Sequence, residues 1–205
     1  SRYSQRIVRD YVAHRPFPAE VAQRLVQAAH IQADTRVLDL AGGPGDLALA
    51  LARQGLQVCL VPEARPLAGR PDVRAYALNA ASVGLLDQLK VWRALPAHAA
   101  TAVHEMHIEG DAPGAAMDFS AWQQRVSELA WIVDAAALES ELATAVKFSP
   151  HIHVTPDPPA TALTALCEGK HSATREALGV QVDRTDYGHQ AIAARLLSNR
   201  PHQGT

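Results

Sequence analysis

Arg36-Val37-Leu38-Asp39-Leu40, then Ala41-Gly42-Gly43-Pro44-Gly45-Asp46, then Leu47 to Gln54, and finally Leu56 to Val61: these segments decide the fold. The first is short, apolar and partly β-branched, which suits a strand. The glycine-proline turn breaks it, and the Leu-Ala alternation after the turn is strongly helix-forming. Gly55 is expected to close that helix in a left-handed conformation. Leu56 to Val61 is a second apolar run of strand length. A strand, a crossover helix and a second strand at this spacing predict a parallel pair joined by a right-handed connection.

Upstream, Pro18 to His30 sets Val21, Leu25, Val26 and Ala29 at helical spacing, so an amphipathic helix is expected to pack against the strand that begins at Arg36. Downstream of a Pro-, Arg- and Gly-rich loop, Leu78 to Leu89 carries Ala81, Leu85, Leu86 and Leu89 on one helical face. Val103 to Ile108 and Ala115 to Phe119 flank Gly110-Asp111-Ala112-Pro113-Gly114, the chemistry of a hairpin turn. A helix is expected from about Asp134 to Val146. Short strands are expected at His151 to Thr155, Leu163 to Cys167 and Gln190 to Ser198. The fold class is therefore α/β: a Rossmann-like βαβ start with an attached, partly antiparallel sheet region, and truncated.

Composition narrows the function. With 205 residues and 48% hydrophobic content, the chain can build one good core or two small domains. A net charge of −2 offers no broad basic surface for a phosphate backbone, so no nucleic-acid partner is expected. No apolar run reaches the roughly 18 to 20 residues that span a bilayer, and a cytoplasmic location is expected. Cys59 and Cys167 lie far apart in apolar runs and read as free thiols in a reducing compartment. The start at Ser1 and the polar, turn-like end at Arg200 to Thr205 read as the ends of a fragment.

A strand ending in a glycine turn that feeds a helix presents free backbone N–H groups and the positive end of the helix dipole to a ligand. Gly43-Pro44-Gly45-Asp46-Leu47-Ala48, set against the dinucleotide fingerprint G-x-G-x-x-G, lacks the last glycine. The run Val37 to Ala48, with Asp39 before the turn and Gly43 and Gly45 within it, resembles the first motif of class I S-adenosylmethionine-dependent methyltransferases, as does the lead-in Tyr11 to Val21. Ala41 stands where that family has its first glycine. Pro62 stands where its ribose-binding acid is expected, with Glu63 one residue later. The turn can also be no more than a tight connection between strand and helix. The resemblance covers about residues 1–57 and implies S-adenosylmethionine as an alternative cofactor.

From residue 58 to the end a different family is resembled: FAD-dependent aromatic hydroxylases of the ubiquinone-biosynthesis type. Asp72-Val73-Arg74-Ala75-Tyr76-Ala77-Leu78-Asn79-Ala80-Ala81-Ser82, then Leu85-Leu86 and Val91-Trp92, is similar to the segment after their second strand. There the arginine lies against the flavin, which assigns Arg74 to the cofactor; a surface pair with Asp72 is the alternative. Leu129 to Asp134 is similar to the next element of the family, without its usual arginine. Leu166-Cys167-Glu168-Gly169-Lys170-His171-Ser172-Ala173-Thr174-Arg175 resembles the motif that serves flavin and nicotinamide, with Glu168 in place of aspartate. Glu168, Gly169, Ser172 and Arg175 inherit cofactor-binding roles from it. Tyr187 to Arg195 is similar to the strand leading into the substrate domain.

The resemblance implies FAD and NAD(P)H as cofactors, a small aromatic substrate and possible peripheral contact with quinone precursors held in the inner membrane. Since the flavin carries the chemistry, no catalytic acid or base is named. The two resemblances meet at Leu47 to Gly55, a helical run common to both, which allows a chimera or an inactive α/β fragment. A metal site is not expected from the pairs His104/His107 and His151/His153, because no carboxylate or cysteine stands at ligand spacing.

Overall fold

The computed structural model describes residues 23, 24, 26, 27, 36–40, 45–62, 72–169, 172–188, 190, 192, 194–196 and 199. It divides into two compact units: Ser1–Pro66 with Leu142–Val182, and Leu67–Glu141 with Asp183–Thr205. Residues 23, 24, 26 and 27 are helical, and Val26 is half-buried; the rest of the expected Pro18 to His30 helix lies outside the described residues.

The first unit is built on a four-stranded sheet of β1 (Arg36–Leu40), β2 (Gln57–Val61), β8 (Ile152–Val154) and β9 (Leu163–Leu166) in the order β8-β2-β1-β9. All three pairings are parallel: Arg36 to Leu40 run beside Gln57 to Val61, Val37 to Leu40 beside Leu163 to Leu166, and Val58 to Leu60 beside Ile152 to Val154. The expected strand, helix and parallel strand are thus present, and of the turn between them Gly45 alone lies within the described residues. Helix α1 (Asp46–Ala52) packs on β2. Its Ala48, Leu49, Ala50, Leu51 and Ala52 are buried, as are Val37, Leu56, Val58 and Leu60. Fully burying a leucine such as Leu51 contributes about 1.5 to 3 kcal/mol. Gly55 has φ 81, the left-handed conformation expected of it, and its N–H reaches Ala52 O at 3.0 Å. Because β1 and β2 pair along their whole length, the division by resemblance at residue 57 is not a division of the folded sheet.

The second unit carries an antiparallel sheet in which β7 (Ala130–Asp134) lies between β3 (Ala75–Leu78) and β4 (Ala100–Val103). Helix α2 (Ala80–Gln88) follows β3, with Asn79 accepting from Ser82 N–H at 2.9 Å as its cap. Leu85, Leu86 and Leu89 are buried as expected, whereas Ala81 is exposed because it falls in the first turn, before the buried stripe begins. The expected hairpin forms from β5 (Glu105–Glu109) and β6 (Ala116–Ser120). The run expected from Val103 to Ile108 splits at His104, since Val103 belongs to β4 and pairs with β7 instead. A short helix α3 (Ala121–Gln124) follows. Trp131 meets Trp92 edge to face, 5.2 Å between centroids, and both rings are half-buried.

Helix α4 (Ala135–Lys147) buries Ala135, Leu138, Leu142 and Val146, a stripe at spacings of three and four, and the division between the units falls within it. Neither cysteine is in a disulfide; Cys59 is buried and Cys167 half-buried. The strand expected over Gln190 to Ser198 is a correction: its described residues 190, 192 and 194–196 form no strand, and Ile192 and Leu196 are 94% and 88% exposed. Alternating sequence makes a strand only where a ladder partner takes up its N–H and C=O groups.

Candidate functional site

The strand order places a topological switch in the first unit. From β1 the chain moves to β2 and later to β8 on one side, and then β9 returns on the other side of β1. In an open α/β sheet the connections at such a point diverge to opposite sides, leaving a crevice outside the carboxyl ends of the two strands. Leu40, the last residue of β1, is in register with Leu166, the last of β9, and with Val61, the last of β2. The chain therefore leaves β1 after Leu40, β2 toward Pro62 and β9 toward Cys167-Glu168-Gly169 at the same end of the sheet, from adjacent strands about 4.8 Å apart. Segments distant in sequence that were expected to bind a cofactor thus follow neighbouring strands.

Within the glycine turn, Gly43 lies outside the described residues and Gly45 is buried with φ 92. A β-carbon at Gly45 would lie 2.5 Å from Val146 Cγ2 and 3.6 Å from Leu60 Cδ2. Gly45 therefore meets two needs at once, a left-handed turn and the close approach of α1 to its neighbours. Ala48, which stands at the last glycine position of the fingerprint, is fully buried in α1. Asp39 occupies β1 between Leu60 and Ala165 in the ladder; its side chain lies outside the described part, as does Glu63.

Asp46 is a residue that the sequence alone does not single out. It is the first residue of α1, half-buried, and its helix has no side-chain cap at Gly45. Burial pushes its carboxyl above the ordinary range, while hydrogen bonds from the backbone N–H groups of Leu47 and of Asp46 itself pull it back. A carboxylate directly after a glycine turn was the available clue, since acids favour the first turn of a helix.

Glu168, Gly169, Ser172 and Arg175 are brought together by the start of helix α5 (Ala173–Ala177). The Glu168 carboxylate accepts from Ser172 Oγ at 2.5 Å, Thr174 N–H at 3.1 Å and Thr174 Oγ1 at 2.8 Å. Buried Ser172 caps the helix by accepting from Arg175 N–H at 3.1 Å, and Arg175 Nη1 donates to Gly169 O at 3.3 Å. Gly169 itself has φ 71 and open space where a β-carbon would stand. The Ser172 hydroxyl first, then that of Thr174, holds Glu168 below the usual carboxylate range. Chemically this is a locked helix start whose carboxylate is already satisfied by local donors.

Arg74 belongs to the second unit, on the segment entering β3. Its guanidinium donates to Asp72 at 2.7, 2.9 and 3.2 Å and to Glu139 at 3.0 Å, and lies 5.8 Å from the centre of the Tyr76 ring. Tyr76 in turn donates to Glu139 at 2.9 Å. The Arg74 guanidinium lowers the Asp72 carboxyl to about 2. Arg195 pairs with Asp134 nearby. The pair with Asp72, the alternative to a cofactor role for Arg74, is thus present and is widened to a network by Glu139. Among the described residues no group of three or more His, Cys, Asp or Glu could hold a metal ion. His107 instead faces Asp118 at 2.5 Å and Glu109 at 3.2 Å, and His151 meets Gln57 at 3.0 Å.

No family model matches the chain. Over 69 residues it is 42% identical to 3-demethoxyubiquinol 3-hydroxylase of Escherichia coli (strain K12), a match covering 31% of this chain and 18% of that protein. Among solved structures, P. aeruginosa PqsL shares the fold. A variant with four substitutions aligns with TM-score 0.58 and 19% identity, and the complex with 2-aminobenzoylacetate with TM-score 0.57 and 18% identity. Each alignment covers 75% of this chain and 48% of PqsL. The chain spans less than half the length of either protein. None of these three likenesses is to a methyltransferase.

Proposed function

We propose that this chain is part of an FAD-dependent monooxygenase that hydroxylates a phenolic ubiquinone precursor with NAD(P)H and oxygen. The observation that carries the reading is the β1/β9 switch, where paired parallel strands end side by side at Leu40 and Leu166 and Glu168-Gly169 follows the second. The identity shared with a hydroxylase of a ubiquinol precursor supports the substrate class. A small aromatic molecule is then the partner, and contact with quinone precursors at a membrane surface would be peripheral. Among the described residues no helix is long and apolar enough to cross a membrane.

The described residues that follow the carboxyl ends of these strands do not fit an FAD phosphate-ribose unit well. Asp46 places a carboxylate at the start of α1, Pro62 follows β2 where a ribose-binding acid is expected, and Glu168 is taken up by Ser172 and Thr174. Each missing or opposed hydrogen bond to a polar cofactor group weakens binding by roughly 1 to 3 kcal/mol, so three together bring a tight site toward millimolar affinity. No catalytic step is assigned to a residue of this chain. Titrating the purified chain with FAD and, separately, with S-adenosylmethionine by calorimetry tests the reading. Saturable FAD binding on the order of 0.1 to 1 mM is expected. S-adenosylmethionine binding more tightly than FAD overturns it in favour of a methyltransferase.

A further inference from the structure

The connection from β8 to β9 is a strap tied at both ends. Thr155 N–H donates to Leu60 O at 3.0 Å as the chain leaves β8, and Ala162 N–H donates to Arg36 O at 3.0 Å as it enters β9. Pro156, Pro158 and Pro159 lie between these ties; they lack N–H donors and break a helix, so the strap neither adds a strand nor packs as a crossover helix. Between strap and sheet lies a cavity of about 450 Å³, the size of a small-molecule site, with all its lining residues in the first unit. Cys59 lines it and is only 7% exposed. Alternation along β2 turns Cys59 away from Leu60, the neighbour that packs near Gly45 at the start of α1. His153 is the register partner of Cys59, and Arg36 is that of Gln57 two residues earlier, so these four share one face. The cavity wall carries both signs of charge. Arg36 and Asp157 both line it, yet their side chains form no ion pair or hydrogen bond with each other or with another of the described residues. Thr155 Oγ1 accepts from Asp157 N–H at 3.2 Å, which fixes the turn that carries Asp157.

We propose that this cavity binds a small zwitterion, an α-amino acid with an apolar side chain. The Arg36 guanidinium matches a carboxylate through two parallel hydrogen bonds. Asp157 takes the ammonium group, and Val58, Cys59 and Pro159 offer apolar surface to the side chain. Asp157 opposes a simple anion and Arg36 a simple amine, so only a ligand with both charges satisfies both walls. None of the lining residues is among those assigned to a cofactor, so the proposal stands or falls independently of the flavin reading.

The test titrates the whole chain by calorimetry with leucine, with isocaproate, which lacks the ammonium group, and with isopentylamine, which lacks the carboxylate. Saturable leucine binding is expected, roughly 10-fold or more tighter than either analogue. Arg36→Gln and Asp157→Asn are each expected to weaken leucine roughly 10- to 100-fold, while Asp157→Asn tightens isocaproate, whose anion is then no longer opposed. Arg36 and Asp157 are exposed, so neither substitution disturbs the core. Arg36→Lys keeps the charge without the fork and remains informative should the glutamine variant fold poorly; it is expected to weaken leucine by less than Arg36→Gln does. Bound leucine is also expected to slow alkylation of Cys59 by iodoacetamide, read by peptide mass spectrometry, and to leave Cys167, which does not line the cavity, unchanged. No saturable leucine binding by the parent at about 10 mM overturns the proposal. Either analogue binding as tightly as leucine overturns it too, because the cavity then does not select a zwitterion. So does leucine binding that the Arg36 and Asp157 substitutions leave unweakened, or that leaves Cys59 alkylation unchanged.

Discussion

Replacing Gly45 by alanine combines two separable costs. The backbone at φ 92 and ψ 20 is left-handed, which costs a residue with a β-carbon about 1 to 2 kcal/mol. The new methyl would also meet Val146 Cγ2 at 2.5 Å, and forcing a methyl into a packed site costs about 1 to 3 kcal/mol. The expected loss is the sum, about 2 to 5 kcal/mol. Gly55 is the internal control: its φ of 81 is similar but nothing lies within 4 Å of where its β-carbon would stand, so Gly55→Ala is expected to show only the backbone cost. Urea unfolding followed by far-ultraviolet circular dichroism gives each loss by linear extrapolation. Val146→Ala removes the clashing methyl, so in the double variant with Gly45→Ala the losses are expected to add to less than their sum by about 1 to 3 kcal/mol. Equal losses at Gly45 and Gly55, or strict additivity with Val146→Ala, would show that close packing is not what requires Gly45.

Ser172→Ala is expected to cost about 0.5 to 2 kcal/mol as a lost helix cap, measured by the same unfolding experiment. It should also raise the Glu168 titration, because the Ser172 hydroxyl is the main cause of its depression; an unmoved carboxyl resonance in an NMR titration contradicts this. Since the folded Glu168 value lies below the unfolded one, its contribution is present above about pH 4.3 to 4.5 and fades as pH falls through the folded value. His107 runs the opposite way: hydrogen bonds first to Asp118 and then to Glu109 raise its folded value, so its contribution is present below about pH 6.5 and fades as pH rises through the folded value. Asp118→Asn is expected to return the His107 imidazole titration toward its ordinary midpoint, and a midpoint that stays put refutes the pairing. Leu51→Ala, at a fully buried position in α1, should cost about 2 to 5 kcal/mol; a loss near zero would mean that α1 is not part of the core.

Local chemistry was enough for much of this molecule. The apolar runs at Arg36 to Leu40 and Leu56 to Val61, with a glycine turn and helix between them, specify a parallel βαβ unit because a connection of that length closes on one face only. The turn residues from Gly110 to Gly114 likewise specify the β5-β6 hairpin, whose pairing is local. The grouping of Glu168, Gly169, Ser172 and Arg175 was legible too, as it lies within eight residues and organises one helix start. Only the tertiary structure decided the rest. That β9 pairs with β1, which creates the switch and brings Glu168 to the edge where the glycine turn leaves, depends on a ladder between strands more than 120 residues apart. That Gly45 must be glycine depends on Val146, from the far end of another helix. That Asp46 is half-buried depends on how α1 packs, and that the Arg74–Asp72 pair widens to a network depends on Glu139. Periodicity and turn chemistry act over a few residues, whereas desolvation, close packing and ion pairing depend on neighbours that only the folded chain supplies.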